Sequence, residues 1–468
     1  MRPESNPERA VRKNLPRPAA PTPLETPLGT LGLLGALRRN PLEAWTRAHF
    51  EQPLTLHDYR LGRIAVVSAP SGIRRVLLDN VENYRKDDLQ RRVLGRALQK
   101  GLLTADGDEW RKQRRIIAPI FNMRAVTDFA PPVHEAACNL IEKWRRTDGQ
   151  VIDVAAEMAS VALDVLIRTV FSGGLGGNPE EWRKAMREYF DTSGQIHPFE
   201  VLGLPDIVPR LRQSNGRFAF IDRSIEQLIA ARAARGPREE ARDLLTLLVD
   251  SRDSESGQGL SAREIRANIF TFIAAGFETT ANAIIWALYL LTLSPEWRAE
   301  IATEAEQAWL GPPAELTERL VKTRAVIDEA LRLYPPLAAI SRVAVGADRL
   351  EGTTIKAGTL IVIAPYVLHR HRLLWDDPDV FDPSRFLPGA RGPVDRYAYL
   401  PFGTGPRVCI GAAFAMQEAL FILSAIVRNF SFEIVPHHVV WPLQRVTLRP
   451  RGGLPMRIQC HELAKHSL

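Results

Sequence analysis

Cysteine is scarce: the 468 residues include only Cys138, Cys409 and Cys460. A set that is small and odd in number excludes a disulfide framework and points to a reducing, cytoplasmic compartment, where each cysteine acts as a thiol or a ligand. Long apolar runs are also missing. The longest uncharged stretch, Thr279 to Pro295, contains Asn282 and Thr292 and directly follows Glu278, so no membrane span is expected. The first 27 residues carry seven prolines and lack the apolar core of a signal peptide. They read as an extended, disordered leader to a single domain over residues 28–468. Charge of one sign does not dominate: 61 Lys and Arg against 54 Asp and Glu leave +7. That excess suits an acidic partner and does not mark a nucleic-acid binder. Zinc-ligand spacing, Gly-x-Ser-x-Gly and a phosphate loop are absent, and Gly173–Gly177 does not fit Gly-x-Gly-x-x-Gly. His369 and His371 lie among Pro, Asp and Arg residues and read as a surface loop.

What is present is mainly α. Apolar periodicity predicts helices over Ser71–Leu78, Asp108–Pro119, Ala130–Trp144, Met158–Phe171, Glu180–Tyr189 and Ile221–Arg235, then over Asp243–Val249, Pro295–Leu310 and Leu320–Leu333. The longest predicted helix opens with a capping box, Ser261-Ala-Arg-Glu264, and runs to Leu293. It is apolar nearly all round, which predicts a central position. Short β-prone runs occur at Leu54–Val67 and Val343–Ile363, and a last helix spans Gly411–Asn429. Residues 374–407 are rich in Pro, Gly and Asp and read as irregular.

Four segments carry chemistry. In Phe402-Gly-Thr-Gly-Pro-Arg407-Val-Cys409-Ile-Gly411, a cysteine precedes a helix N-terminus. Backbone N–H groups and the helix dipole there favour a thiolate of lowered pKa, and Gly411 permits close approach of a flat partner. A buried structural cysteine is the alternative from composition alone. In Ala275-Gly276-Phe-Glu278-Thr279-Thr280, a mid-helix glycine costs about 1 kcal/mol and needs compensation, such as room beside a cofactor. Glu278 and Thr279 set an acid beside an alcohol, suited to proton relay, with a buried Thr-rich helix as the alternative. Thr279 lies one turn after Ala275, so its hydroxyl can bond the Ala275 carbonyl or turn into the groove. Glu329 and Arg332 share one helix face and can pair. Trp110 and Arg114 share another, where an indole N–H and a guanidinium suit an anion; a solvated basic face is the alternative.

Together these segments resemble the cytochrome P450 family, over roughly residues 40–455. Phe-x-x-Gly-x-Arg-x-Cys-x-Gly is similar at every fixed position to the family's haem-ligand loop, and the other elements follow in the family's order. The resemblance implies a helical haem-binding body with small β-sheets, and haem b as cofactor with Cys409 as axial iron ligand. It further implies that Phe402, Ala275, Gly276 and Gly411 line the haem, and that Trp110, Arg114, Arg342 and Arg407 bind its propionates. By the same resemblance Thr279 and Glu278 deliver protons, while Glu329, Arg332 and Arg385, from Pro383-Ser-Arg-Phe386, support the haem loop structurally. The implied reaction inserts one oxygen atom of O2 into an organic substrate. Electrons are expected from a separate ferredoxin or flavodoxin with its reductase, steered by Arg111, Lys112 and Arg115. Asp88–Leu103, Phe272–Ala275 and Leu337–Ile340 are expected as pocket walls for a hydrophobic molecule such as a fatty acid or terpenoid. A peroxide-driven peroxygenase of the same fold and a non-catalytic haem sensor are the rival readings.

Overall fold

The computed structural model describes residues 15–60, 62–87, 98–171, 181, 182, 184–186, 188, 220–230, 243–390 and 395–461. Four residues of the expected helix Glu180–Tyr189, the end of Ile221–Arg235 and most of the pocket wall Asp88–Leu103 lie outside those residues.

The longer helices are α1 (Thr30–Arg39), α2 (Gly107–Ile117), α3 (Ala130–Arg145), α4 (Val154–Val170), α5 (Leu244–Asp250), α6 (Ala262–Thr292), α7 (Pro295–Ala308), α8 (Val321–Leu333) and α9 (Ala412–Asn429). The axis of the fold is α6. Its capping box forms as the sequence predicts: the Ser261 hydroxyl accepts from the Glu264 N–H, and the Glu264 carboxylate accepts from the Ser261 N–H at 2.7 Å. The helix is long and apolar enough to cross a membrane, but 78% of its most apolar stretch is buried inside the protein. It packs on α4, α8 and α9, and α9 packs in turn on α3, α7 and α8. Trp286 fixes the end of α6, stacking on Tyr334 at 3.9 Å and donating to the Leu448 carbonyl.

The strands gather segments far apart in sequence. In the larger sheet β1 (Leu54–Tyr59), β2 (Gly62–Val67), β8 (Leu360–Ile363), β5 (Ile340–Ala344) and β3 (Tyr84–Arg85) lie in that order, with only the β2–β8 pair parallel. A second sheet has the order β4 (Val151–Asp153), β12 (Pro455–Cys460) and β9 (Phe430–Ile434). Two hairpins complete the set: β6 (Asp348–Leu350) with β7 (Thr353–Ile355), and β10 (Pro442–Gln444) with β11 (Leu448–Pro450).

The expected disordered leader is corrected over residues 15–27. The Phe381 N–H donates to the Pro16 carbonyl at 2.9 Å, the Ala19 N–H donates to the Tyr289 hydroxyl, and the Tyr334 hydroxyl donates to the Ala19 carbonyl at 2.6 Å. Leu24 bridges to Trp45 and Arg47. An extended proline-rich segment has no hydrogen bonds of its own, so its backbone groups are satisfied by the body it crosses.

Candidate active site

Two glycines with left-handed backbone shape the loop before α9. Gly403 has φ +71° and Gly405 has φ +72°. A Cβ on Gly405 would sit 2.0 Å from the Leu77 carbonyl oxygen, whereas one on Gly403 would meet only the Ile340 Cδ1 at 3.9 Å. Gly405→Ala therefore combines a left-handed penalty of about 1–2 kcal/mol with a backbone clash, while Gly403→Ala carries the penalty alone. Denaturant titration is expected to show Gly405→Ala losing at least about 2 kcal/mol more than Gly403→Ala.

The turn closes when the Cys409 N–H donates to the Phe402 carbonyl at 2.9 Å. The Cys409 side chain is left exposed just ahead of Gly411, the N-cap of α9. Surrounding protein nevertheless raises its thiol above the ordinary value, opposed by the Gly411 N–H and the Arg114 guanidinium. The lowered pKa expected from the helix end is thus corrected: desolvation outweighs one backbone donor and one cation. A Cβ on Gly411 would enter open space.

Arg114, on α2, is half-buried; burial lowers its guanidinium and the facing Cys409 raises it. Among the described residues it has neither a hydrogen bond nor an ion pair. The Arg407 guanidinium lies 3.9 Å from the Trp110 ring centroid and donates to the Ala105 carbonyl and to Asp106 Oδ1. Burial lowers Arg407 to about 10; Asp106 opposes this, while Arg342 and Arg114 add to it. Arg342, on β5, is buried and donates to the Ser341 carbonyl. The structure thus brings Trp110, Arg114, Arg342 and Arg407 together in one cationic corner beside the thiol.

In the middle of α6, Ala275 is exposed and Gly276 and Thr279 are partly so, although their neighbours are buried. The Thr279 hydroxyl donates to the Ala275 carbonyl at 2.5 Å. The α-hydrogen side of Gly276 faces Leu166 of α4, where a Cβ would come within 3.2 Å. Close packing against α4 is thus one reason for glycine at this position. Glu278 is buried and its Oε1 lies 3.3 Å from Arg449 Nη1 on β11, so acid and alcohol point to different partners.

Three comparisons decide the family. A profile of the family described as Cytochrome P450 matches residues 22–454. The chain belongs to the cytochrome P450 family. This P450 is 32% identical over 451 residues to the cyclooctat-9-en-7-ol 5-monooxygenase of Streptomyces melanosporofaciens, covering 92% of this chain and 94% of that protein. It is 30% identical over 392 residues to cytochrome P450 72A13 of Arabidopsis thaliana, covering 78% of this chain and 73% of that one. Its fold matches the crystal structure of the cytochrome P450DA heme domain with a TM-score of 0.83 and 25% identity, over 97% of this chain and 100% of that one. The chain is an oxygenase with the P450 fold, and its cofactor is haem b.

The residues fit that cofactor. An exposed thiol, open space over Gly411 and the Arg114 guanidinium, without an ion pair among the described residues, supply a sulfur ligand, clearance and an anion partner. Iron bound at this sulfur would remove its proton, outweighing the desolvation that holds the thiol up.

Two expectations in this P450 are corrected. Arg111 pairs with Glu82 and Asp108, Arg115 with Asp253 and Glu255, and Lys112 lies 3.9 Å from Glu264. Their charges are matched within the chain, so they do not form an open basic patch for an electron donor. His369 and His371 are fully buried rather than in a surface loop. His369 Nε2 accepts from the Leu400 N–H at 2.8 Å, so its Nδ1 carries the proton and donates to the Arg332 carbonyl at 3.2 Å. It ties α8 to the strand of chain that enters the haem loop, a role hidden in the sequence by its Pro, Asp and Arg neighbours. Asp106, which holds Arg407, was likewise not singled out; the Asp-Gly step before α2 was its only signal.

Glu329 and Arg332 form the expected pair, both with fully buried side chains. All five Arg332 donors are used: two on Glu329, and one each on the carbonyls of His369, Pro378 and Val380. Arg385 Nε lies 3.6 Å from Glu329 Oε1, and the Asp382 N–H donates to the same oxygen.

Proposed function

We propose that this P450 is a monooxygenase that inserts one oxygen atom from O2 into a hydrophobic organic molecule, with electrons from a separate ferredoxin or flavodoxin and its reductase, in the cytoplasm. The observation that carries the reading is the exposed Cys409 thiol beside the cationic corner of Arg114, Arg342 and Arg407. When bound, the haem supplies the one-electron iron chemistry that activates O2.

The chain's own side chains do the rest. Cys409 holds the iron, and Trp110, Arg114, Arg342 and Arg407 orient the macrocycle through its propionates. The Ala275 face borders the reaction space, where the Thr279 hydroxyl moves a proton once it leaves the Ala275 carbonyl. Glu278, held by Arg449 near the partly exposed hairpin β10–β11, is the acid that refills Thr279 from solvent. Buried Phe272, packed edge-on against Phe121, and Ala338 supply apolar wall. Relatives named for cyclooctat-9-en-7-ol and for 11-oxo-beta-amyrin support a hydrophobic substrate. Three cysteines, none of them in a disulfide, support a reducing compartment.

The test uses holoenzyme with a ferredoxin, a ferredoxin reductase and NADPH, on substrates first screened by the iron spin-state shift. One oxygen-18 atom from labelled O2 is expected in each product molecule. Product formed with hydrogen peroxide but not with the reducing chain would replace this reading by the peroxygenase one.

A further inference from the structure

The start of α2 holds more charge than the propionate-binding arginines require. Asp106 occupies the N-cap position, yet its side chain makes no capping hydrogen bond. Instead Oδ1 accepts from Arg407 Nη2 at 2.7 Å and lies 4.0 Å from Lys86 Nζ. Lys86 is buried and donates to the carbonyls of Leu103 and Ala105, which fixes the turn carrying Asp106. Arg407 is thereby set in plane and direction. One Nη bonds Ala105, the other bonds Asp106, and the guanidinium lies over Trp110. Its remaining donors are aimed without further choice of rotamer. Beside it, Asp87 is buried, accepts from the Ser341 hydroxyl and acts electrostatically on Arg342.

Charge arithmetic separates the roles. Among the described residues, four cations (Lys86, Arg114, Arg342 and Arg407) share the corner with two carboxylates (Asp87 and Asp106). Two positive charges remain, and haem b brings two propionates. Within that described set the two propionates would offset the two remaining cations, and Asp106 is one of its two negative charges. A half-buried charge acts on its surroundings far more strongly than one in bulk water.

We propose that Asp106 is a positioning residue of this P450: its carboxylate locks Arg407 over Trp110 and sets a negative charge in the propionate corner, which keeps the haem's reduction potential low. The inference rests on the P450 reading above. Adding an electron to the haem adds negative charge, so removing the Asp106 charge favours the reduced form. Removing the Lys86 charge does the reverse.

The experiment is spectroelectrochemistry of holoenzyme carrying Asp106→Asn, Asp106→Glu or Lys86→Met, beside the unaltered protein. A carbon monoxide difference spectrum of each is recorded first. A thiolate-type band in the unaltered protein checks the P450 reading separately; without it, this proposal falls too. Asp106→Asn is expected to raise the ferrous-to-ferric ratio about tenfold at a fixed solution potential, a positive shift of about 59 mV. Haem transfer to apomyoglobin should also quicken severalfold. Asp106→Glu is expected to restore the potential, and Lys86→Met to shift it negatively. An unchanged midpoint in Asp106→Asn, or equal shifts in Asp106→Asn and Asp106→Glu, would overturn the proposal. Should Asp106→Asn take up no haem, the sign of the Lys86→Met shift decides: zero or positive overturns it.

Discussion

Replacing Cys409 with alanine is expected to abolish the strongly red-shifted Soret band of the reduced carbon monoxide complex while leaving the chain folded. The two halves of this expectation come from different observations. The side chain is exposed and packs into no core, so its loss should cost stability within about 0.5 kcal/mol, as for other substitutions away from packed groups. The loop that presents it is held by other atoms: the Cys409 backbone N–H on Phe402, the left-handed Gly403 and Gly405, and the Arg407 bonds to Ala105 and Asp106. Alanine keeps every one of those. What it removes is the sulfur, and with it the negative ligand that Arg114 and the Gly411 N–H face. Circular dichroism melts and difference spectra measured on the same preparation separate the two effects. A retained thiolate band in Cys409→Ala would remove the haem ligand from this loop altogether.

Much of this site was legible because its parts are local in sequence. The capping box of α6 and the Glu329–Arg332 pair each depend on residues within a few positions of one another, and each formed as the spacing predicts. The β-prone segments were also visible, but not that strands from residues 54–67, 84–85 and 340–363 join in one sheet, since pairing depends on tertiary contact. Side-chain direction was the weakest inference. Gly276 faces a neighbouring helix, Glu278 faces Arg449, and Arg111 and Arg115 turn to carboxylates on other elements. Sequence spacing places such residues on a helix face but does not say what packs there. His369 and the second half of the proline-rich leader failed for a related reason: polar or proline-rich composition suggests exposure, while unsatisfied backbone groups elsewhere drew both inward.

Arg332→Met is expected to destabilise the chain by about 3–5 kcal/mol, the range for removing one partner of a buried ion pair. Methionine fills much of the volume, so the loss is electrostatic. It leaves the buried Glu329 carboxylate with only the Asp382 N–H and the more distant Arg385, and the carbonyls of His369, Pro378 and Val380 without their shared donor. The Trp375 ring, 5.2 Å from the guanidinium, loses its cation as well. Adding Glu329→Gln should recover part of the loss, because the buried charge goes, whereas the orphaned carbonyls remain. The damage should reach the haem loop through His369, which spans from the Arg332 carbonyl to the Leu400 N–H. Haem content at a fixed expression level should therefore fall in parallel with the denaturation midpoint. The same histidine sets a pH signature. Burial, reinforced by Arg332, lowers its pKa from 6.5 to about 3, so the unfolded chain binds a proton that the folded chain refuses. The stability contributed by the neutral ring is complete above about pH 6.5 and drains away as pH falls toward 3. Losing the Arg332 charge removes one cause of that lowering, so the acid limb of the stability curve should flatten in Arg332→Met relative to the unaltered protein. An unfolding free energy within about 1 kcal/mol of the unaltered protein, with full haem content, would show that the pair does not carry the loop.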